Sequence, residues 1–396
     1  MSTTHRSNKP TTSSSIPRLL LLSIVFFEPF FWLISRWPKR TLRKWFAVAK
    51  QTGKQLFYEW DLDQLAQWLK EQKQPAYRAK QIFQWAYQRW VNSFAEMTDL
   101  PAPLRDLLSE TFEIGPLKPE SESHNPDTIK LLLKMGDGAL VECVRITMED
   151  AFTACVSSQV GCAVKCVFCA TGQYKCERSL TAGEIIRQVI SLSAIGERVR
   201  NVVFMGMGEP FHNYANLVKA IRRLSQPEAF GMSPRRITIS TSGVVPGIHR
   251  YADEGLATEL AVSLNASTDV LRRRLMPGVE KWNLQQLLEA CRHFSEAHNG
   301  RPVTFAYVLV ADLNDSFDDA ERLGRLLKGQ PHHLNIIPLN PVAHADYQPP
   351  AFPRIVAFVE ACRRHRLNVS LRHSKGGDID AACGQLRARH EDQKPL

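Results

Sequence analysis

No stretch of this chain supplies the roughly 20 consecutive apolar residues that a membrane-spanning helix needs. The nearest candidate, residues 19–27 and 30–34, is broken by Glu28-Pro29, a charge and a helix breaker that are both costly in lipid. Stable membrane insertion is therefore not expected. Residues 1–56 read as a poorly ordered or mis-started extension, with a membrane-surface anchor beside Arg36, Lys39 and Arg40 as the alternative. No secretory cleavage site precedes the nine cysteines, an odd number with four crowded into residues 155–169. That excludes a secreted disulfide framework and favours metal or redox chemistry in a reducing, cytoplasmic compartment. Acidic side chains are the minority, forty against fifty basic ones, for a net charge of +10. This suits a polyanionic partner such as nucleic acid. A second CxxC or HxxxH pair downstream of the cysteine cluster is also missing, and a structural zinc site would want one.

What is present is enough for a large catalytic domain with a smaller accessory one, since 44% of the 396 residues are hydrophobic. From Trp60 to Phe112 the apolar residues recur at helical spacing, Leu62, Leu65, Trp68 and Leu69 on one face and Ile82, Phe83, Trp85 and Ala86 on another. Residues 128–134 and 139–146 alternate like strands about the turn Gly136-Asp137-Gly138, so a hairpin is expected. Thereafter six short apolar runs, at 154–160, 202–205, 237–240, 260–264, 303–310 and 334–337, alternate with amphipathic stretches. One of these, 181–194, opens with a Thr181/Glu184 capping box. The pattern predicts an α/β fold whose parallel sheet curves into a partial (β/α)6 barrel, with functional groups gathered at the carboxyl ends of the strands. The expected domains are 57–115 (helical accessory, RNA-binding), 116–150 (β-hairpin linker), 151–375 (barrel) and 376–396 (C-terminal cysteine segment and tail).

The most informative stretch is Cys162-x3-Cys166-x2-Cys169. Three thiolates on one short loop suit a four-iron cluster with one iron left open. The loop follows a strand and resembles the radical S-adenosylmethionine (SAM) superfamily, in which the open iron binds SAM. That resemblance implies one [4Fe-4S] cluster on Cys162, Cys166 and Cys169. It also implies that Gly208 and Glu209 of the Gly206-Met-Gly208-Glu209-Pro210 segment meet the SAM amino group, while Ser240, Ser263, Leu264, Asn265 and Asn340 at later strand ends approach its ribose or carboxylate.

Two further cysteines narrow the resemblance. Cys155 in Ala154-Cys-Val-Ser-Ser-Gln-Val-Gly161 and Cys383 in Gly376-Gly-Asp-Ile-Asp-Ala-Ala-Cys383-Gly-Gln-Leu386 closely resemble the radical SAM methyltransferases acting on adenosine C2 of 23S ribosomal RNA and of tRNA. The likeness runs from about Tyr58 to Leu386. It departs at Asn265, where many members carry His; both side chains can hydrogen-bond. The family chemistry implies two SAM molecules per turnover, one methylating Cys383 and one generating the radical that activates the S-methyl group. It further implies Glu142 as the base that takes the C2 proton, and Cys155 as the thiol that forms a transient disulfide with Cys383 and expels the product. Implied partners are 23S rRNA, tRNA, an electron donor such as flavodoxin or ferredoxin, and a thiol reductant, with the enzyme a monomer. Arg222-Arg223, Arg235-Arg236, Arg272-Arg273-Arg274 and Arg363-Arg364 are candidate phosphate contacts. Cys143, Cys176, Cys291 and Cys362 read as packing residues. The alternatives are adenosine C8 methylation with the same cysteines, and a zinc-stabilised RNA-binding protein without catalysis.

Overall fold

Asp61 starts the first helix: its carboxylate accepts from the Gln64 amide at 2.7 Å while the Gln64 side chain accepts from the Asp61 amide. This helix, α1 (Leu62–Glu71), packs with α2 (Arg78–Gln88) and α3 (Ala102–Thr111). Their inward faces, Leu65 and Leu69, Ile82, Phe83 and Ala86, Leu104 and Leu108, surround Phe57, Tyr58 and Phe112. Two-residue strands β1 (Gln55–Leu56) and β2 (Phe112–Glu113) pair in parallel and tie the ends of this helical region together. The computed structural model describes residues 53–148, 151–342, 345–372 and 374–387. The apolar block at 19–34 lies outside them.

The rest is organised by one ten-stranded sheet. β3 (Pro119–Asn125), β4 (Thr128–Lys134), β5 (Leu140–Met148) and β6 (Ala151–Cys155) are antiparallel neighbours. The sheet continues in parallel from β6 through β9 (Val199–Phe204), β10 (Ile237–Thr241), β11 (Glu259–Ser263), β12 (Val303–Leu309) and β13 (His332–Pro338) to β14 (Val369–Leu371). Between β6 and β9 a separate pair, β7 (Gln159–Val160) and β8 (Arg178–Ser179), brackets the three-cysteine loop. The parallel strands are joined by α4 (Ala182–Ala194), α5 (Tyr214–Ser225), α6 (Val245–Ala252), α7 (Asp269–Leu275), α8 (Leu284–Ala297), α9 (Phe317–Leu326) and α10 (Phe352–Arg364). The capping box expected at Thr181 and Glu184 is formed.

All six strands expected from apolar runs are present. Three differences have physical reasons. The expected hairpin also belongs to the barrel sheet, because β5 pairs with β6. β3 was invisible because its sequence, Pro-Glu-Ser-Glu-Ser-His-Asn, has no apolar residue; it is an edge strand with one partner. The run 154–160 leaves the sheet after Cys155, where Ser157 turns its amide to Gln188 Oε1 at 2.8 Å.

The two faces of the parallel strands differ in residue size, and that positions the site. On β12, Val303, Phe305, Tyr307 and Leu309 are fully buried, while Thr304, Ala306 and Val308 turn to the other side and line a cavity. The same cavity is lined by Ser240 of β10, Ala261 and Ser263 of β11, and Asn335 and Ile337 of β13. Alternate residues of consecutive strands facing one space mean that the sheet wraps around it, and its small residues leave that space open. β3 and β14 are not paired with each other, so the barrel is incomplete.

The described residues from Lys54 onward form one contact unit. The helical region is joined to the barrel by buried arginines. Arg187 of α4 donates to the Gly115 carbonyl at 3.0 Å and pairs with Glu113 at 2.7 Å. Arg223 of α5 donates to the Tyr87 hydroxyl at 3.0 Å. This corrects one expectation, since Arg223 is a buried tie and is not available to a phosphate. No described helix is long and apolar enough to cross a membrane.

Candidate active site

The cavity opens at the carboxyl ends of β9 to β13, and Cys162, Cys166 and Cys169 all border it. It is walled by the small strand residues Ser240, Ala261, Ser263 and Ala306 on one side and by the cysteine loop on the other. The cysteine loop is held mainly through its backbone. The Val167 amide donates to Leu275 O at 3.0 Å, the Gly278 amide to Val164 O at 2.8 Å, and the Cys169 amide to Cys166 O at 3.2 Å. Two glycines allow this packing. A Cβ on Gly172 would lie 2.7 Å from Cys166 O, and one on Gly278 would lie 2.5 Å from the Val164 Cα.

The donor set fits an iron–sulfur cluster. Burial pushes the Cys162 thiol up to about 12, raises Cys166 well above the usual thiol range and raises Cys169. Neighbouring thiols add repulsion to the charged form of each. Three thiols that resist ionisation alone become thiolates when a cationic centre neutralises them. Among the described residues no three His, Cys, Asp or Glu side chains converge closely enough for a single metal ion. A cluster, bound one thiolate per iron, does not require such convergence.

The glycine-rich segment is built against the chain entering this loop. A Cβ on Gly206 would lie 2.6 Å from Ser157 Oγ and 2.8 Å from the Val156 backbone; one on Gly208, at φ +98°, would strike Gln159. Glu209 is 2% exposed and its carboxylate is fully engaged. Oε1 accepts from the Phe211 amide at 3.0 Å and the Thr241 hydroxyl at 2.8 Å, while Oε2 accepts from the Ser242 amide at 2.7 Å and hydroxyl at 2.6 Å. Glu209 thus fastens the end of β9 to the end of β10 while bordering the cavity.

The other expected cofactor contacts distribute unevenly. Ser240, Ser263 and Asn265 border the cavity. Asn265, at φ +56°, also accepts from the Val308 amide at 2.9 Å and so holds β11 to β12. Leu264 is wholly buried and not among the cavity-lining residues; its amide donates to Ala306 O at 2.9 Å. Asn340 borders the cavity, yet its Nδ2 donates to the Cys383 carbonyl at 3.0 Å.

The C-terminal segment closes the site. The Ala170 amide donates to Gly384 O at 2.6 Å, and Thr171 Oγ1 to Leu386 O at 2.6 Å, so the segment sits directly on the cysteine loop. Cys383 is exposed and borders two adjoining spaces, the main cavity and a second one also lined by Cys155. Burial, and then Cys383 nearby, push the Cys155 thiol up to about 12. Among the described residues every cysteine is a free thiol. Glu142, on the same face of β5 as the Val144 that pairs with Cys155, borders neither space. Its carboxylate lies 3.1 Å from Lys130 Nζ and accepts the Arg387 amide.

Three participants escaped sequence reasoning. Lys130 lies in a strand whose alternation does not single it out, and Arg372, which borders both spaces, follows a three-residue strand that carries no periodicity. Arg272 was expected on a phosphate; instead it is 2% exposed beside Cys166, donating to Ser242 O, and burial lowers it to about 10. Gly243 makes room for it, since a Cβ there would lie 2.5 Å from its Nη2.

The radical SAM superfamily matches residues 156–324, and the ribosomal RNA large subunit methyltransferase N-terminal domain matches residues 57–114. The chain is 43% identical over 345 residues to a "Probable dual-specificity RNA methyltransferase RlmN" of Symbiobacterium thermophilum, covering 86% of this chain and 93% of that one. It is 47% identical over 324 residues to a protein of the same name from Moorella thermoacetica, covering 78% and 91%. The chain belongs to the RlmN family. A solved radical SAM methyltransferase from Sphaerobacter thermophilus shares 43% identity and superposes with a TM-score of 0.82 over 85% of this chain and all of that one. Membership brings with it a [4Fe-4S] cluster and SAM as the family's cofactors, and the cysteine loop is the only run of three closely spaced cysteines available to the RlmN-type site.

Proposed function

We propose that this chain methylates C2 of adenosine in 23S rRNA and tRNA through a methyl group carried on Cys383, with Cys162, Cys166 and Cys169 holding the cluster. The observation that supports this most is the meeting of Cys383, Cys155 and the three-cysteine loop around two adjoining spaces at one end of the sheet. When bound, the cluster and SAM supply the electron and the carbon radical that take a hydrogen atom from the S-methyl group.

The chain's own residues account for the remainder. Cys383 is the exposed thiol, so its thiolate can reach a methyl donor in the main cavity and be methylated by ordinary displacement. The same exposure lets it meet an unstacked adenine, as a loop nucleotide presents one. The S-methylene carbon left on Cys383 bonds to C2; Glu142 then takes the C2 proton, and the adduct's unpaired electron would pass back to the oxidised cluster. Cys155 attacks the Cys383 sulfur from the second space, forming a disulfide as the bond from that sulfur to the methylene carbon breaks; the carbon takes a proton and the methylated base is freed, and a thiol reductant then restores both thiols. The helical region, where Arg89 stacks on Trp85 at 3.9 Å, grips the RNA. A cytoplasmic location follows from this substrate and from the thiols.

The test is anaerobic reconstitution followed by mass spectrometry of defined rRNA and tRNA fragments. The expected product is 2-methyladenosine. 8-Methyladenosine would reassign the reaction, and protein that takes up zinc but no iron would end the catalytic reading.

A further inference from the structure

The segment that carries Cys383 is held at both ends by one ion pair on the β4–β5 hairpin. Lys130 Nζ lies 3.1 Å from Glu142 Oε1 and also donates to Asp380 O at 3.2 Å. The other carboxylate oxygen, Oε2, accepts the Arg387 amide. Asp380 and Arg387 flank Cys383, and Arg387 Nη2 pairs with Asp380 Oδ2 at 3.2 Å, closing the segment on itself. The Lys130 and Glu142 side chains are only 12% and 7% exposed. An ion pair so buried gains little stability over an apolar pair of the same size. What it provides here is position, because the hydrogen-bonding capacity each partner has left goes to one end of the cysteine segment.

We propose that Lys130 is a positioning residue serving two parts of the site at once: it is the counter-charge of the Glu142 carboxylate, and through Asp380 it seats the Cys383 segment on the cysteine loop. The proposal rests on the roles given above to Glu142 and Cys383. It adds a coupling between them. Glu142 borders neither cavity while Arg387 N–H occupies its second oxygen. That N–H must leave before Glu142 can accept a proton from the substrate, so displacement of the segment and exposure of the base are one event. Lys130 remains on the first oxygen throughout. Both oxygens of Glu142 are thereby occupied until the segment that carries Cys383 has moved.

The test uses backbone hydrogen exchange on the full chain without RNA. In Lys130→Met, exchange across residues 381–387 rises at least about tenfold, while β9 to β13 keep their protection. Lys130→Arg, which preserves charge and donors, restores most of the protection. Arg387→Pro removes the donated N–H without touching the hairpin and speeds exchange as Lys130→Met does; Arg387→Ala, which keeps that N–H, does so far less. Unchanged exchange in both Lys130→Met and Arg387→Pro overturns the proposal, as does equal loosening by Arg387→Ala and Arg387→Pro. A second readout uses the reconstituted enzyme with RNA. Lys130→Met accumulates the covalent protein–RNA adduct, because removal of the C2 proton is slowed. Clean turnover by that variant refutes the link to Glu142. Failure of the wild-type enzyme to methylate RNA would instead refute the function itself, leaving the exchange result to stand or fall separately.

Discussion

Replacing Glu209 with Gln tests whether this carboxylate is a structural fastener as well as a wall of the cavity. Four donors point at it, two backbone amides and two hydroxyls, at 2.6 to 3.0 Å. A glutamine has one acceptor oxygen and one NH2 group. The Thr241 and Ser242 hydroxyls can rotate to accept from that NH2, but the amides of Phe211 and Ser242 cannot. Whichever way the glutamine is turned, one buried N–H faces another donor. An unsatisfied buried donor costs about 1–3 kcal/mol, and the remaining bonds lose their charge assistance. Relief from burying a charge offsets part of this, leaving a loss of about 2–3 kcal/mol. For a chain of 396 residues, that is a fall in melting temperature of roughly 2–4 °C. The assay is thermal unfolding of cluster-free protein followed by far-ultraviolet circular dichroism, so that no SAM can contribute. A melt within about 1 °C of wild type would refute the fastening argument and leave Glu209 a cavity-lining group only.

Three other outcomes are expected. Cys383→Ala abolishes RNA methylation and leaves no S-methylcysteine in the intact protein mass, whereas Cys155→Ala becomes trapped covalently on RNA; free turnover by the second variant would remove Cys155 from the resolving step. Because burial holds the Cys155 thiol at about 12, only about one molecule in ten thousand is thiolate at pH 8. Its alkylation by iodoacetamide, followed by peptide mass spectrometry, should lag far behind that of exposed Cys383 and rise about tenfold per pH unit, and equal rates at pH 8 would contradict this. Gly206→Ala forces a methyl group against Ser157 Oγ and the Val156 backbone and should cost about 1–3 kcal/mol in a urea titration; an unchanged midpoint would show that the segment yields.

The parallel half of the fold was legible because each strand is an apolar run covered on its outer face by helices, as with Val303, Phe305 and Tyr307. β3 and β14 were not, since an exposed polar edge strand and a three-residue strand have no apolar periodicity to read. The cysteine loop was legible for a different reason: three ligands on one short loop are local information. Leu264 and Asn340 show where locality fails. Both lie at strand ends, as expected, but a one-residue change of facing turns Leu264 into the core, and Asn340 spends its amide on the Cys383 carbonyl. Two of the expected phosphate contacts, Arg223 and Arg272, failed similarly, because neighbouring residues on a helix point in different directions. Arg272 is buried and Arg273 is exposed, and composition cannot tell which.

The bonds that assemble the site share a feature that explains both the unread contacts and the expected response to mutation. Ala170 to Gly384, Thr171 to Leu386, Lys130 to Asp380, Glu142 to Arg387 and Asn340 to Cys383 each use a main-chain group of the C-terminal segment. Such contacts depend on where the backbone runs, so the identities of residues 384, 386 and 387 did not reveal them. Most side-chain replacements in that segment should therefore be tolerated, because they leave its carbonyls and amides in place. Changes to the path of the backbone should not be. Gly384 is the sharpest case: its φ is +86° and a Cβ there would come within 3.3 Å of Phe168 O, so even alanine must shift the carbonyl that receives Ala170. Cys383 is thus placed by a glycine beside it and by partners most of which lie more than 200 residues away in the sequence.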